Sequence, residues 1–200
     1  MKLISPDRNK ILCSPGLYFY LALLILLIPL RWLLAAVVSV MAHEMCHIAA
    51  IRCFGIQMES VRIGIGGVQI RTQPMLLWQE LICALAGPLG GLLLLPLGRW
   101  FPVTALCSGF HTMYNLLPVY PQDGGRALRC GARLLLPDKW ANAICLFVEY
   151  SCLIGVGVLG VYGTFVLRVG VLPVLFSSLL LWRNRRMKIS LQRDERRGTI

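Results

Sequence analysis

The chain has 200 residues, of which 57% are hydrophobic and only 14% are charged, and its formal net charge at pH 7 is +11. A soluble domain carries about 25% charged residues. The composition therefore excludes an ordinary soluble domain and predicts an integral membrane protein.

Six apolar runs follow one another along the chain, and a helix needs roughly 17–25 mainly apolar residues to cross a bilayer. The predicted fold class is an all-α polytopic membrane protein with about six transmembrane helices. Residues 1–182 are expected to form its membrane core, and residues 183–200 a basic cytoplasmic tail. The first run is short, and Arg31 is the only charged residue that separates it from the second. We place the spans at residues 17–30, 32–51, 77–97, 101–119, 141–162 and 165–182.

The basic residues support this layout. If the N-terminus is cytoplasmic, 17 of the 20 Lys and Arg residues lie in cytoplasmic segments, and only Arg31, Arg99 and Arg168 do not. Cytoplasmic loops of membrane proteins carry an excess of Lys and Arg, so both termini are expected in the cytoplasm. Topology and contact with anionic lipids of the bilayer then account for the positive charge, and no nucleic acid partner is expected.

A metal-binding pattern lies inside the second predicted span. His43 and His47 are four residues apart and share one helical face, where both imidazoles can hold a zinc ion. Glu44 between them can serve as a general base. The ordinary alternative is a pair of buried histidines that neighbouring groups satisfy. Polar groups at membrane depth are costly and usually functional, and a metal ion offsets that cost, so the pattern predicts hydrolysis in or at the edge of the bilayer.

A second polar segment follows the fourth predicted span, with the sequence Asn115-Leu-Leu-Pro-Val-Tyr-Pro-Gln-Asp-Gly-Gly-Arg126. A catalytic zinc site with two histidines needs one more protein ligand and leaves one position for water. Asp123 is the best candidate, because the predicted topology brings it to the same depth as the histidines. The two prolines break the helix, and the two glycines are expected to let the backbone turn closely around the ion.

These two motifs, with the Ala86-Gly87-Pro88 step between them, resemble the site-2 protease family of intramembrane zinc metalloproteases. Their order and spacing are most similar to its compact bacterial branch, typified by stage IV sporulation protein FB. The resemblance covers roughly residues 17–182 and implies a multi-pass protein of a bacterial cell membrane.

The resemblance also implies the roles of the site residues. It assigns one Zn2+ per chain to His43, His47 and Asp123, and it makes Glu44 the catalytic glutamate. Asn115 matches an asparagine that orients substrate or stabilises the developing oxyanion.

The chain departs from the family pattern in two places. The family often has a polar residue, commonly asparagine, three or four positions after its Gly-Pro step, where this chain has Gly90 and Gly91. The sporulation branch commonly carries a nucleotide-sensing CBS domain after the membrane core. About 18 residues follow Trp182, fewer than a domain of about 50 residues needs, so regulation through such a domain is not expected.

The expected function is that of a zinc-dependent intramembrane endopeptidase. Its expected substrate is a membrane-associated or single-span regulatory protein, for example the pro-form of a sporulation sigma factor, and membrane proteins could regulate it. The alternative is a non-catalytic metal-binding membrane protein, either a transporter or a scaffold. A transporter would spread polar groups through several spans, and a scaffold would be expected to lose Glu44.

Other polar residues allow more than one interpretation. Residues 59–71 alternate polar and apolar side chains, which predicts a β-hairpin. Its edge strand could pair with an unwound substrate, or the hairpin could be purely structural, with neither favoured. His111, one helical turn before Asn115, could touch substrate, but a satisfied buried histidine is favoured. Glu80 and Glu149 are expected to pair with basic groups rather than to bind zinc.

Overall fold

A computed structural model of the protein describes residues 10–13, 15–64, 67–168 and 170–196. The chain falls into two compact units, Met1–Tyr114 and Asn115–Ile200. The first unit consists of β1 (Lys10–Cys13), α1 (Pro15–Leu27), α2 (Leu30–Cys53), β2 (Met58–Gly64), β3 (Gly67–Thr72), α3 (Leu77–Leu92), a 3₁₀ helix (Leu95–Arg99) and α4 (Pro102–Asn115). The second unit consists of α5 (Asp123–Leu135), α6 (Asp138–Phe165) and α7 (Leu172–Arg196).

Helix α2 has one buried line of side chains and an exposed apolar surface. Its buried residues recur every fourth position, which places them on one helical face. Exposed apolar side chains of this extent are typical of a surface that contacts lipid. The buried line consists of Ala35, Ser39, His43, His47 and Ile51. Exposed apolar residues on the same helix include Leu34, Val37, Val38, Met41 and Met45.

Helix α3 packs through glycines rather than through large side chains. A Cβ atom on Gly90 would lie only 2.8 Å from the carbonyl oxygen of Ala42 in α2. On the α4 side, a Cβ atom on Gly91 would collide with Thr112, and the Ser108 hydroxyl donates to the Gly91 carbonyl over 2.7 Å. Small residues allow membrane helices to approach this closely, since burial of apolar surface does not drive helix association in lipid.

The predicted hairpin is present as the antiparallel pair β2–β3, which confirms that expectation. The sequence did not predict β1, which pairs in parallel with β2, with Lys10 opposite Ser60. Four residues are too few to establish an alternating pattern, and parallel pairing depends on residues far apart in the chain. The sheet order is β1-β2-β3, so β2 is the central strand.

Three helical segments are long and apolar enough to cross a membrane: Leu30–Cys53, Leu77–Arg99 and Asp138–Phe165. The six predicted spans are therefore confirmed only in part. Helices α1 and α4 have 13 and 14 residues, which at about 1.5 Å per residue gives about 20 Å, against an apolar bilayer core of about 30 Å. Helix α7 combines an apolar first half with a strongly basic second half.

The second unit contains a helix that the sequence did not predict. Residues 120–140 lie between the fourth and fifth predicted spans, where no helix was predicted, and Asp123 begins α5 there. Only Asp123, Gly125 and Cys130 of α5 are buried, and its other positions include three arginines. A short helix of this kind has no long apolar run, so a search for membrane spans misses it.

The packing at Gly90 generates a first prediction. Gly90→Ala should lower the free energy of unfolding by about 1–3 kcal/mol, because the added methyl group has no room against the backbone of α2. A Cβ atom on Gly155 of α6 meets nothing within 4 Å, so Gly155→Ala should instead stabilise the protein by up to about 1 kcal/mol through helix propensity. Unfolding in mixed micelles measures both changes. Equal effects of the two variants would contradict the close packing of α3 on α2.

Candidate metal centre

The two histidines of the first motif lie on the buried face of α2. His43 is 2% exposed and His47 is 8% exposed. Their Nε2 atoms are 3.1 Å apart. A tetrahedral zinc ion with Zn–N bonds of about 2.05 Å separates two nitrogen ligands by about 3.4 Å. The observed separation, which is also a hydrogen-bond distance, is close to that value, so the pair could share one ion.

A backbone carbonyl in α3 orients His47. Its Nδ1 atom lies 2.7 Å from the carbonyl oxygen of Cys83. A carbonyl oxygen only accepts hydrogen bonds, so Nδ1–H donates, and the Nε2 lone pair stays available for a metal. Metal-bound histidines commonly use their second nitrogen in this way. The sequence could not predict the contact, since backbone atoms have no signature in a motif.

Gly87 of α3 keeps open the space beside the two histidines. A Cβ atom at this position would collide with the Nε2 atom of His47 and would lie 2.7 Å from the Nε2 atom of His43. Any side chain here would therefore compete with an ion for both ligand atoms. The Ala86-Gly87-Pro88 step, which we noted only through a family resemblance, thus has a physical role at the site.

His111 of α4 packs against one of the two histidines. Its ring centroid lies 4.7 Å from that of His43, with the planes at 82°. This edge-to-face contact makes His111 a neighbour of the candidate ligands. The contact is compatible with both interpretations of His111, a packed histidine or a group that touches substrate.

In the second unit, Asp123 is buried at the first position of α5. A carboxylate is stabilised there by the positive end of the helix dipole. The two glycines that follow Asp123 make room for the chain's own backbone: a Cβ atom on Gly124 would collide with the carbonyl group of Leu116, and one on Gly125 would lie 2.5 Å from the carbonyl carbon of Val119. The structure places these glycines against the preceding loop, and their expected role in turning the backbone around an ion stays a prediction.

The three predicted ligands form one group. His43, His47 and Asp123 are all buried, their ligand atoms lie within 4.8 Å of one another, and together they could hold a metal ion. Two imidazoles and one carboxylate are a donor set that zinc accepts in catalytic sites. The arrangement thus supports the predicted metal-binding group.

The other candidate residues have different surroundings. Glu44 lies on α2 between the histidines and is half-buried, and Asn115 is the half-buried last residue of α4. Their catalytic roles stay predictions. Glu149 forms an ion pair with Arg129 at 3.3 Å, which confirms the expected pairing with a basic group. Glu80 lies in the first turn of α3 and does not belong to the metal group of the described residues.

Comparison with known proteins identifies the fold. No model of a known protein family matches the chain. No curated protein sequence matches it either. Among solved structures, the chain is similar to the Site-2 Protease from Methanocaldococcus jannaschii, with 20% sequence identity, 94% of each chain covered and a TM-score of 0.59. The chain therefore has the fold of a site-2 protease.

The space at Gly87 generates a prediction about metal binding. Gly87→Ala should reduce the zinc content of the purified protein to less than a tenth of the parent value, because the methyl group occupies the space beside both Nε2 atoms. Gly90→Ala is the matched control, since its methyl group meets Cys46 and Ala42 and should disturb packing without removing zinc. Elemental analysis of both proteins measures the difference. Full zinc content in Gly87→Ala would refute the assignment.

Proposed function

We propose that the protein is a zinc-dependent intramembrane endopeptidase that cleaves a membrane-associated or single-span regulatory protein. The buried His43, His47 and Asp123 group, in a chain with the fold of a site-2 protease, is the observation that carries the proposal. The apolar helices support it further, because they place the group in a protein that can lie in a bilayer.

Different residues of the chain would bind the metal ion, orient a ligand and transfer the proton. A bound zinc ion supplies Lewis-acid activation of water and of the scissile carbonyl. His43, His47 and Asp123 would hold the ion, and the Cys83 carbonyl orients the His47 ring by accepting a hydrogen bond from its Nδ1–H. Glu44 takes the proton from the attacking water as the C–O bond forms. The same carboxyl group then gives the proton to the leaving amine as the C–N bond breaks.

Asn115 would act on the substrate rather than on the attacking water. Its side-chain amide donates to the carbonyl oxygen as that oxygen becomes negative, or it holds the substrate strand in place. Hydrogen-bond donors aimed at a developing oxyanion are most effective where water is excluded. The position of Asn115 at the end of α4, half-buried, is compatible with either action.

The substrate must present an extended peptide, because a peptide bond inside a helix is not accessible to attack. Strand β3 pairs with β2 on one side, which leaves its other edge for an added strand within the described sheet. Main-chain hydrogen bonds along such an edge would hold the substrate extended. A pro-form of a sporulation sigma factor is the first substrate to test, and the sequence resemblance alone supports it.

The proposed mechanism predicts how two substitutions differ. Glu44→Gln should lower the cleavage rate of a co-expressed pro-sigma factor or single-span test protein at least about 100-fold while zinc stays bound. Asp123→Ala should lose both cleavage and zinc, since a ligand is removed. Glu80→Gln, a glutamate outside the metal group, should match the parent in both measurements.

Immunoblots of the cleavage product and elemental analysis of the purified proteins provide these readouts. Cleavage by Glu44→Gln at the parent rate would overturn the proposed mechanism. A parent that binds zinc but cleaves none of a panel of single-span proteins would favour a non-catalytic metal-binding protein, the alternative function.

The proposed location is a bacterial cell membrane, with six spans and both termini in the cytoplasm. Fusions of a reporter after residues 75, 137 and 200 should be active in the cytoplasm, and fusions after residues 99 and 164 should be active outside it. Three spans alone would place the C-terminus on the opposite side from the N-terminus. Activity of the fusion at residue 200 outside the cytoplasm would therefore contradict the six-span topology.

A further inference from the structure

A polar cluster lies in the second unit, and only one of its four residues, Tyr120, belongs to a sequence motif. Glu149 of α6 and Asn184 of α7 are 2% and 3% exposed. The Asn184 amide donates to Oε1 of Glu149, and the Arg129 guanidinium of α5 lies 3.3 Å from Oε2 of the same carboxylate. We call Tyr120, Arg129, Glu149 and Asn184 the Glu149 cluster.

Two contacts of the Glu149 cluster converge on Tyr120. The Nδ2 atom of Asn184 donates to the backbone carbonyl of Tyr120 over 2.7 Å. The guanidinium carbon of Arg129 lies 4.6 Å from the centroid of the Tyr120 ring, a cation–π distance. Tyr120 thus connects to α5 through its ring and to α7 through its backbone.

These contacts matter for Asp123 because Tyr120 lies close to it in the chain. Asp123, the candidate metal ligand, lies three residues after Tyr120 and six residues before Arg129. The Glu149 cluster therefore holds the chain on both sides of Asp123, through the loop that precedes it and through the helix that it begins. Within this unit, α6 and α7 brace the segment that carries the carboxylate.

General stabilisation is a poor explanation for this arrangement. Burial removes the hydration of the Glu149 carboxylate, while the Arg129 side chain stays 32% exposed, and the lost hydration of a buried charge often equals or exceeds its attraction to a partner. Apolar residues of similar size would serve the packing as well. Directional hydrogen bonds and a stacked guanidinium are instead suited to fixing one loop position.

We propose that Glu149, Asn184 and Arg129 are positioning residues that fix Asp123 in the orientation it needs to bind the metal. The inference rests on the proposed function in that it takes Asp123 as a metal ligand. It adds that the basic C-terminal helix α7 takes part in metal retention through Asn184, although α7 contributes no ligand to the group.

The test compares zinc retention with folding. Asn184→Leu, Glu149→Gln and Arg129→Lys are purified in detergent, and zinc release to a competing chelator is followed for each. The absorption spectrum of the Co2+-loaded protein reports ligand geometry, and thermal unfolding of the metal-free protein reports folding. Arg129→Lys keeps the charge beside Glu149 but removes the planar group that stacks on Tyr120.

The same two helices offer a matched control. Arg133 of α5 donates to Asn142 of α6 over 3.4 Å, but this pair is solvent-exposed. Arg133→Lys and Asn142→Leu therefore repeat the substitutions away from the buried cluster. Tyr120→Phe is a second control, because it keeps both the ring under Arg129 and the carbonyl that Asn184 contacts.

Asn184→Leu and Glu149→Gln should weaken zinc binding about 10- to 100-fold, the range seen when residues that orient metal ligands are changed. They should also shift the Co2+ spectrum, whereas the three control variants should stay within about twofold of the parent.

Results that contradict these expectations distinguish an error in the positioning role from an error in the proposed function. If the parent binds zinc and the cluster variants bind it equally well with an unchanged Co2+ spectrum, the positioning role is wrong, whatever happens to their unfolding temperatures. If Asn184→Leu fails to fold, Glu149→Gln and Arg129→Lys decide the matter by the same criteria. A parent that binds no zinc overturns the proposed function, and the positioning role with it.

Discussion

The close approach of α3 to α2 is the constraint on which the first unit depends. In lipid, apolar side chains gain nothing by leaving the solvent, so helices associate through tight packing and hydrogen bonds. Gly90 allows the backbones to meet, and Gly87 leaves space beside the Nε2 atoms of both histidines. The same approach brings the Cys83 carbonyl to His47, so one helix contact both holds the unit together and orients a candidate ligand.

In the second unit, hydrogen bonds and an ion pair compensate for the burial of polar side chains. Glu149 and Asn184 are almost fully buried, and each contacts a partner on a different element. A buried carboxylate without partners would be strongly unfavourable, whereas these contacts satisfy it and also direct the loop that leads to Asp123. Charge satisfaction and the positioning of Asp123 are therefore achieved by the same side chains.

Much of the fold and of the candidate site could be predicted from local patterns. The apolar runs indicated the helices of the three candidate spans, the alternation over residues 59–71 indicated the hairpin, and the spacing of His43 and His47 placed them on one face. Strand β1 and helix α5 were missed because one is very short and the other lacks a long apolar run. The sequence also could not predict that Gly87 leaves space beside the two histidines. That role depends on how closely α3 packs against α2, which a glycine in the sequence does not indicate.

The sequence by itself indicated a membrane protein and singled out His43, His47 and Asp123 as the candidate metal ligands. Composition, helical periodicity and the chemistry of the donor groups are properties of the chain alone, so no coordinates were needed for them. Only the tertiary structure decided that the ligand atoms of these three residues lie within 4.8 Å of one another. It also revealed the contacts of Cys83 and Asn184, because such contacts join residues that are distant in sequence and involve backbone atoms common to every residue.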